Sequence, residues 1–155
     1  MDMRRGGESS AIRAGFSLME LLIVVVILGI LAGFSTPKIA TVIRHQRVNR
    51  GAAIVVADLQ NVFAIAGRQR APVHLVSDAS HQSYTFSDRK TGAILQTRSL
   101  GSTSEYQIGT LTFSPSTVDM FPNGISSAAL TVTIGTGDYT RTITASTAGF
   151  VRMVP

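Results

Sequence analysis

Glu20 stands at the head of an apolar run, Leu21 to Phe34, that contains no charge. A carboxylate in such a run costs on the order of 2.5–3.5 kcal/mol at mid-membrane on insertion scales, and less near the edge, so it demands a cation at the same depth. Scission of the Gly15–Phe16 peptide bond would supply that cation. The new α-amine of Phe16 would lie one helical turn from its own Glu20 and within reach of the Glu20 of a neighbouring copy. With such a cut, the chemistry these residues would offer is ion pairing. Counted from Phe16, the run reaches the roughly 20 residues that a helix needs to cross a bilayer core.

Other reactive groups are sparsely placed. The histidines are His45, His74 and His81, with neither His-Glu-x-x-His nor His-x-His spacing, so no metal is expected. The cysteine count of 0 excludes disulfides and thiolate sites. Serines and threonines are abundant, yet no Gly-x-Ser-x-Gly elbow occurs. Gly135-Thr136-Gly137 lacks the lysine and helix that a phosphate loop requires and reads as a hairpin turn. No carboxylate pair is set out as an acid–base couple. The chain is expected to have no enzyme activity and no cofactor.

The elements that must position Glu20 follow from periodicity. Residues 1–15 mix Arg, Gly, Ser, Asp and Glu without a period and read as a solvated leader. Residues 16–36 form the membrane-spanning half of a helix, and Pro37 removes a backbone donor and should kink it. The helix resumes through Ile39, Val42 and Ile43, interleaved with Lys38, Arg44, Arg47 and Arg50, which suit lipid headgroups or filament neighbours. An apolar face at Val55, Leu59, Val62, Phe63 and Ala66 keeps the 3.6-residue period, with Asp58, Gln60 and Asn61 on other faces. Gly67 is expected to stop the helix at about residue 66, with Pro72 barring its continuation.

From Pro72 the period changes to 2. Short strands are expected at His74–Val76, Ser83–Phe86, Ala93–Leu95, Tyr106–Phe113 (with a bulge at Gly109), Leu130–Ile134, Tyr139–Ile143 and Phe150–Val154. Turns are expected at Asp88–Gly92, Phe121–Gly124 and Gly135–Asp138. One long helix followed by strands reads as an α+β fold, an antiparallel sheet wrapped on the helix. Residues 37–155 form its globular domain. The chain has 155 residues and a formal charge of +5; without Arg4, Arg5, Arg13, Asp2 and Glu8 it keeps 11 basic and 7 acidic side chains, a mild excess.

Gly15-Phe16-Ser17-Leu18-Met19-Glu20 before an apolar helix resembles the processing site of type IV pilins and of the pseudopilins of type II secretion. The resemblance implies cleavage between Gly15 and Phe16 by a prepilin peptidase, N-methylation of Phe16, and a Glu20–amine pairing that draws the subunit into a filament with other pilins. It places the chain in the bacterial inner membrane as a single-pass protein with its C-terminal domain in the periplasm. A narrower resemblance, to the H-type minor pseudopilins and the FimT minor pilins (the GspH/FimT group), rests on the C-terminal half. Leu59, Ala66, Arg68 and Val73 fit that pattern, as does the order of turn, hairpin and terminal strand. Val62-Phe63 stands where Ala-Arg is usual, and Gly149-Phe150-Val151-Arg152 stands where Gly-Arg-Val-Arg is usual.

These resemblances imply a minor pseudopilin of type II secretion or, alternatively, a FimT-like minor pilin of a type IV pilus that contacts DNA. Arg152 and Arg141, with Arg89, Lys90 and Arg98, would supply the phosphate-binding face. An ordinary solvated surface is the plainer reading of those cations. A secretory signal peptide cleaved near Ser35 is the remaining alternative. The length of the run and the carboxylate at its head speak against it.

Overall fold

The computed structural model describes residues 16–154, apart from the side chains of residues 34–38. Helix α1 (Leu18–Gln69) is 52 residues long and runs through Pro37 without interruption. Eight strands follow among the described residues: β1 (Val73–Asp78), β2 (Ser83–Asp88), β3 (Ile94–Ser99), β4 (Thr110–Ser114), β5 (Thr117–Met120), β6 (Leu130–Thr136), β7 (Tyr139–Ala145) and β8 (Val151–Val154). The chain divides into two compact units, Met1–Ile39 and Ala40–Pro155. In the first, every described helical side chain is exposed, with Leu18 at 83% and Val24 at 45%.

The second unit builds its core on one stripe of α1. Val48, Ala52, Val55, Leu59, Val62 and Ala66 are buried. Their alternating steps of four and three residues keep them on one side of a 3.6-residue helix. The stripe thus begins two members earlier than expected, with Val48 and Ala52, while Phe63 is only partly buried. The residue at the centre of the N-terminal end, Gly51, leaves room for the sheet: a Cβ there would sit 2.9 Å from Ile134 Cδ1.

Gly67 does not stop the helix. Glycine inside a helix costs only about 1 kcal/mol relative to alanine, and the burial of Val62 and Ala66 on the same turns outweighs it. The chain leaves α1 at Arg70, in the left-handed region (φ 52°) that commonly follows a helix end. Pro72 then bars a further turn.

The strands form two antiparallel sheets rather than one. Their orders are β3-β2-β1-β5 and β4-β6-β7-β8. Each sheet turns an apolar face inward: Val73, Leu75, Tyr84, Phe86, Val118 and Met120 from the first, and Leu111, Phe113, Leu130, Val132, Ile134 and Ile143 from the second. Tyr84 ties the two together, its ring 5.5 Å from Phe86 and 5.3 Å from Phe113 of β4.

Strand β5 has no counterpart in the expected pattern, because only Val118 and Met120 alternate inward in its four residues. The expected strand over Tyr106–Phe113 is confined to Thr110–Ser114. Gln107 has φ 49° and breaks the extended chain. Ile108 is buried from a loop instead, its N–H donating to the Leu100 carbonyl at 2.8 Å.

The turns at Asp88–Gly92 and Phe121–Gly124 fall as expected, while the one expected over Gly135–Asp138 tightens to Gly137 and Asp138 because β6 runs on to Thr136. Asp88 Oδ1 accepts from the Lys90 and Thr91 amides at 2.8 and 2.7 Å, and Gly92 takes φ 72°. Gly124 takes φ 81° and donates to the Phe121 carbonyl at 3.0 Å. The β6–β7 hairpin pairs Thr136 with Tyr139 across a two-residue loop whose first member, Gly137, has φ 65°.

Candidate assembly site and polar anchors

Gly15 lies outside the described residues, as does the leader. Phe16 precedes the helix and is 76% exposed. Ser17 is the helix cap: its Oγ accepts the Met19 amide at 3.3 Å, and its carbonyl accepts the Leu21 amide at 3.1 Å. A helix start leaves unpaired amides, and a serine oxygen satisfies one of them. Glu20 then occupies the first turn. There a carboxylate faces the positive end of the helix dipole. Ser17-Leu18-Met19-Glu20 is the Ser-x-x-Glu capping pattern, a helix-start signal readable in the sequence. Among the described residues no helix is long and apolar enough to cross a membrane. The expected span of residues 16–36 ends in residues 34–36, whose side chains lie outside the described set.

Two polar residues of α1 tie it to the sheets. Asp58, placed by its spacing off the apolar face, is nevertheless buried, with a relative exposure of 6%. It sits three residues from Val55 and four from Val62, so it flanks the apolar stripe. Arg98 of β3 donates to it twice, Nε to Oδ2 at 2.9 Å and Nη2 to Oδ1 at 3.0 Å, and the Tyr84 hydroxyl donates at 2.7 Å. Burial alone would push the Asp58 carboxyl up; the hydrogen bonds from Arg98, Tyr84 and Gln96 outweigh it and hold the group below the usual aspartate value. Burial, then Asp58, pushes the Tyr84 phenol well above its usual value.

Asn49 is the second anchor. Its Oδ1 accepts from the Tyr139 hydroxyl at 3.1 Å and from Arg141 Nε at 3.0 Å, while His45 stacks on Tyr139 at 3.9 Å. Asn49 and Asp58 are about half a turn apart in angle around the helix. One therefore reaches the second sheet and the other the first.

The cations expected to share a phosphate-binding face are dispersed. Arg141 points to the helix side of β7, where Asn49 engages it. Arg152 lies opposite Thr144 on the outer side of the same sheet, with Nε 3.4 Å from Thr144 Oγ1. Arg98 belongs to Asp58, and Arg89 Nε lies 3.3 Å from Asp119 Oδ2. The structure does not bring Arg152 and Arg141 together.

His74 Nδ1 lies 2.6 Å from Asp119 Oδ1 across the β1–β5 pair. His81 is in the β1–β2 turn, where its Nδ1 contacts both Asp78 Oδ2 at 2.6 Å and Ser80 Oγ at 3.0 Å. A serine relay needs the acid and the hydroxyl on opposite ring nitrogens. Sharing Nδ1 makes this a turn motif.

The prokaryotic N-terminal methylation motif is matched over residues 11–36, which covers the Gly15–Phe16 bond and Glu20. The fold is similar to that of the type IV minor pilin FimU of Pseudomonas aeruginosa in two crystal structures. One, in space group P21, has a TM-score of 0.58 and 19% identity over 71% of this chain and 90% of that one. The other, in space group P65, has a TM-score of 0.55 and 18% identity over 69% and 92%. No curated protein sequence matches the chain. Motif and fold together define a type IV pilin-like protein of α+β architecture, with a long N-terminal helix packed on antiparallel sheets.

Proposed function

We propose that this chain is a minor subunit of a type IV-class filament, cut between Gly15 and Phe16, N-methylated on Phe16, and drawn into the fibre by Glu20. The observation that carries the reading is the coincidence of the methylation motif with a capped helix whose first turn holds Glu20. The subunit waits as a single-pass inner-membrane protein with its globular unit in the periplasm. In the fibre the Glu20 carboxylate meets a Phe16 amine, and pairing offsets the cost of keeping two separate charges in lipid. The role is structural, without catalysis.

Two machines use this chemistry. The pattern of the C-terminal half supports a type II secretion pseudopilus, near its tip. The likeness to FimU supports a type IV pilus. Deleting the gene separates them: loss of protein secretion with intact pili supports the first, and loss of pili with intact secretion supports the second.

The first test is the N-terminal residue of the mature protein, read by mass spectrometry from membranes with and without a prepilin peptidase. A chain beginning at methylated Phe16 is the expected result. One beginning near Thr36, or an uncut Met1, would leave Glu20 without its amine and end the filament reading. Glu20→Ala should leave insertion and cleavage intact and reduce incorporation into sheared fibres severalfold.

A further inference from the structure

We propose that the outer face of β6, β7 and β8 carries a binding site for an acidic sugar, with Arg152 holding the carboxylate and Phe150 supporting the ring. The inference rests on the unit 40–155 alone and is independent of the filament reading. Small-ligand sites run from about 300 to 1,000 Å³; the surface cavity here is about 460 Å³ and is lined by Thr131, Thr144, Ser146, Phe150 and Arg152 among others. Strand register sets three of these side chains in one row: Thr131 opposite Thr144, and Thr144 opposite Arg152.

Phe150 is 77% exposed, and it is held there. The turn before it is closed by Ser146 N–H to the Phe150 carbonyl at 2.9 Å and Gly149 N–H to the Ser146 carbonyl at 3.0 Å. Phe150 N–H donates to Ser146 Oγ at 3.2 Å, and Ser126 N–H donates to the Thr147 carbonyl at 2.9 Å. Gly149 has φ 77°, a conformation that favours glycine. The backbone of the turn is thus held, and the Phe150 ring on it stands in water, its apolar area open to burial by a ligand. A ligand that covers it gains the free energy of burial without first ordering the loop.

The rest of the chemistry selects the ligand. Among the described residues Arg152 makes one long contact, to Thr144 Oγ1 at 3.4 Å, so its terminal nitrogens are open. A guanidinium fork matches a carboxylate with two parallel hydrogen bonds. Threonine hydroxyls donate and accept, as sugar hydroxyls require. The C–H face of a pyranose ring is slightly positive and rests on the negative face of a phenyl ring. A single-stranded nucleic acid would need several cations along its backbone, and this cavity offers one, with Arg141 on the opposite face of the sheet.

The full chain, purified in a detergent without a sugar headgroup, would be titrated by calorimetry with trigalacturonate and with neutral trigalactose. The acidic trisaccharide is expected to bind about tenfold more tightly, a difference set by the carboxylate. Arg152→Gln should abolish that preference, Arg152→Lys should retain part of it, and Phe150→Ala should weaken both ligands by about fivefold or more. Both side chains are exposed, so the thermal midpoints of these variants should match the parent's. Absence of binding by either sugar, equal affinity for the two, or an unchanged preference in Arg152→Gln would each overturn the proposal. So would tighter binding of oligothymidylate to the same residues.

Discussion

Asp58 shows how one carboxylate organises the interface between helix and sheet. Two hydrogen bonds from Arg98 and one from Tyr84 satisfy it in a site that water barely reaches. Asp58→Asn removes the charge and leaves Arg98, about one-third exposed at 32%, without its anion. Breaking a fully buried pair costs 3–5 kcal/mol; solvent access to Arg98 lowers the expected loss here to about 2 kcal/mol, measurable by urea unfolding. The pH dependence has a definite sign. The Asp58 carboxyl is held below its usual value, so as pH falls the unfolded chain binds the proton first. Its contribution is complete above about pH 4 and is lost as pH falls through the folded value. Asp78 and Asp88, both lowered by hydrogen bonds within their turns, act in the same direction. The slope of stability against pH below 4 should therefore be shallower in Asp58→Asn without vanishing.

At the scale of elements, α1 and the two sheets lock through close approach as much as through burial. Gly51 lets the second sheet reach the helix, since any Cβ would meet Ile134 Cδ1 at 2.9 Å. Gly51→Leu overpacks that contact and should cost about 1–3 kcal/mol of unfolding free energy. Leu59 is fully buried in the same stripe. Leu59→Ala leaves a cavity and should cost about 2–5 kcal/mol by the same measurement. Gly149 answers to a different constraint, for its φ of 77° is joined by a Cβ position only 2.5 Å from the Gly124 carbonyl oxygen. Gly149→Ala should lower stability by about 2 kcal/mol through backbone strain, detectable as a lower thermal midpoint.

At the scale of the molecule, every buried apolar residue among the described residues lies between Val48 and Ala145. A fragment of residues 40–155 should therefore fold without the N-terminal segment and unfold in one cooperative transition by circular dichroism. Two transitions would mean that the sheets do not share a core. Fold class, the order of helix before strands, the β6–β7 hairpin and the place of Glu20 at the head of the helix were legible in the chain because each rests on local signals: a charge beside an apolar run, a change of period, a glycine where φ must be positive. The Ser17 cap was legible too, as serine three residues before Glu20.

The division into two sheets was not, since register between distant strands is set by which apolar faces meet around α1. Strand β5, with two inward residues, gains its identity only by pairing with β1. Asp58 and Arg98 are forty positions apart in the chain and become partners only when β3 is laid over the helix. Arg141 and Arg152 read alike in sequence, yet an odd number of positions separates Arg141 from Arg152's cross-strand neighbour Thr144. Alternation along β7 therefore sends one to the helix and leaves the other in solvent. By itself the sequence determined the methylation motif, the capped N-terminal helix and the kind of fold behind it, because those depend on neighbours in the chain. Only the tertiary structure decided which polar groups are anchors and which remain free to bind, because that depends on the face each strand turns to the core.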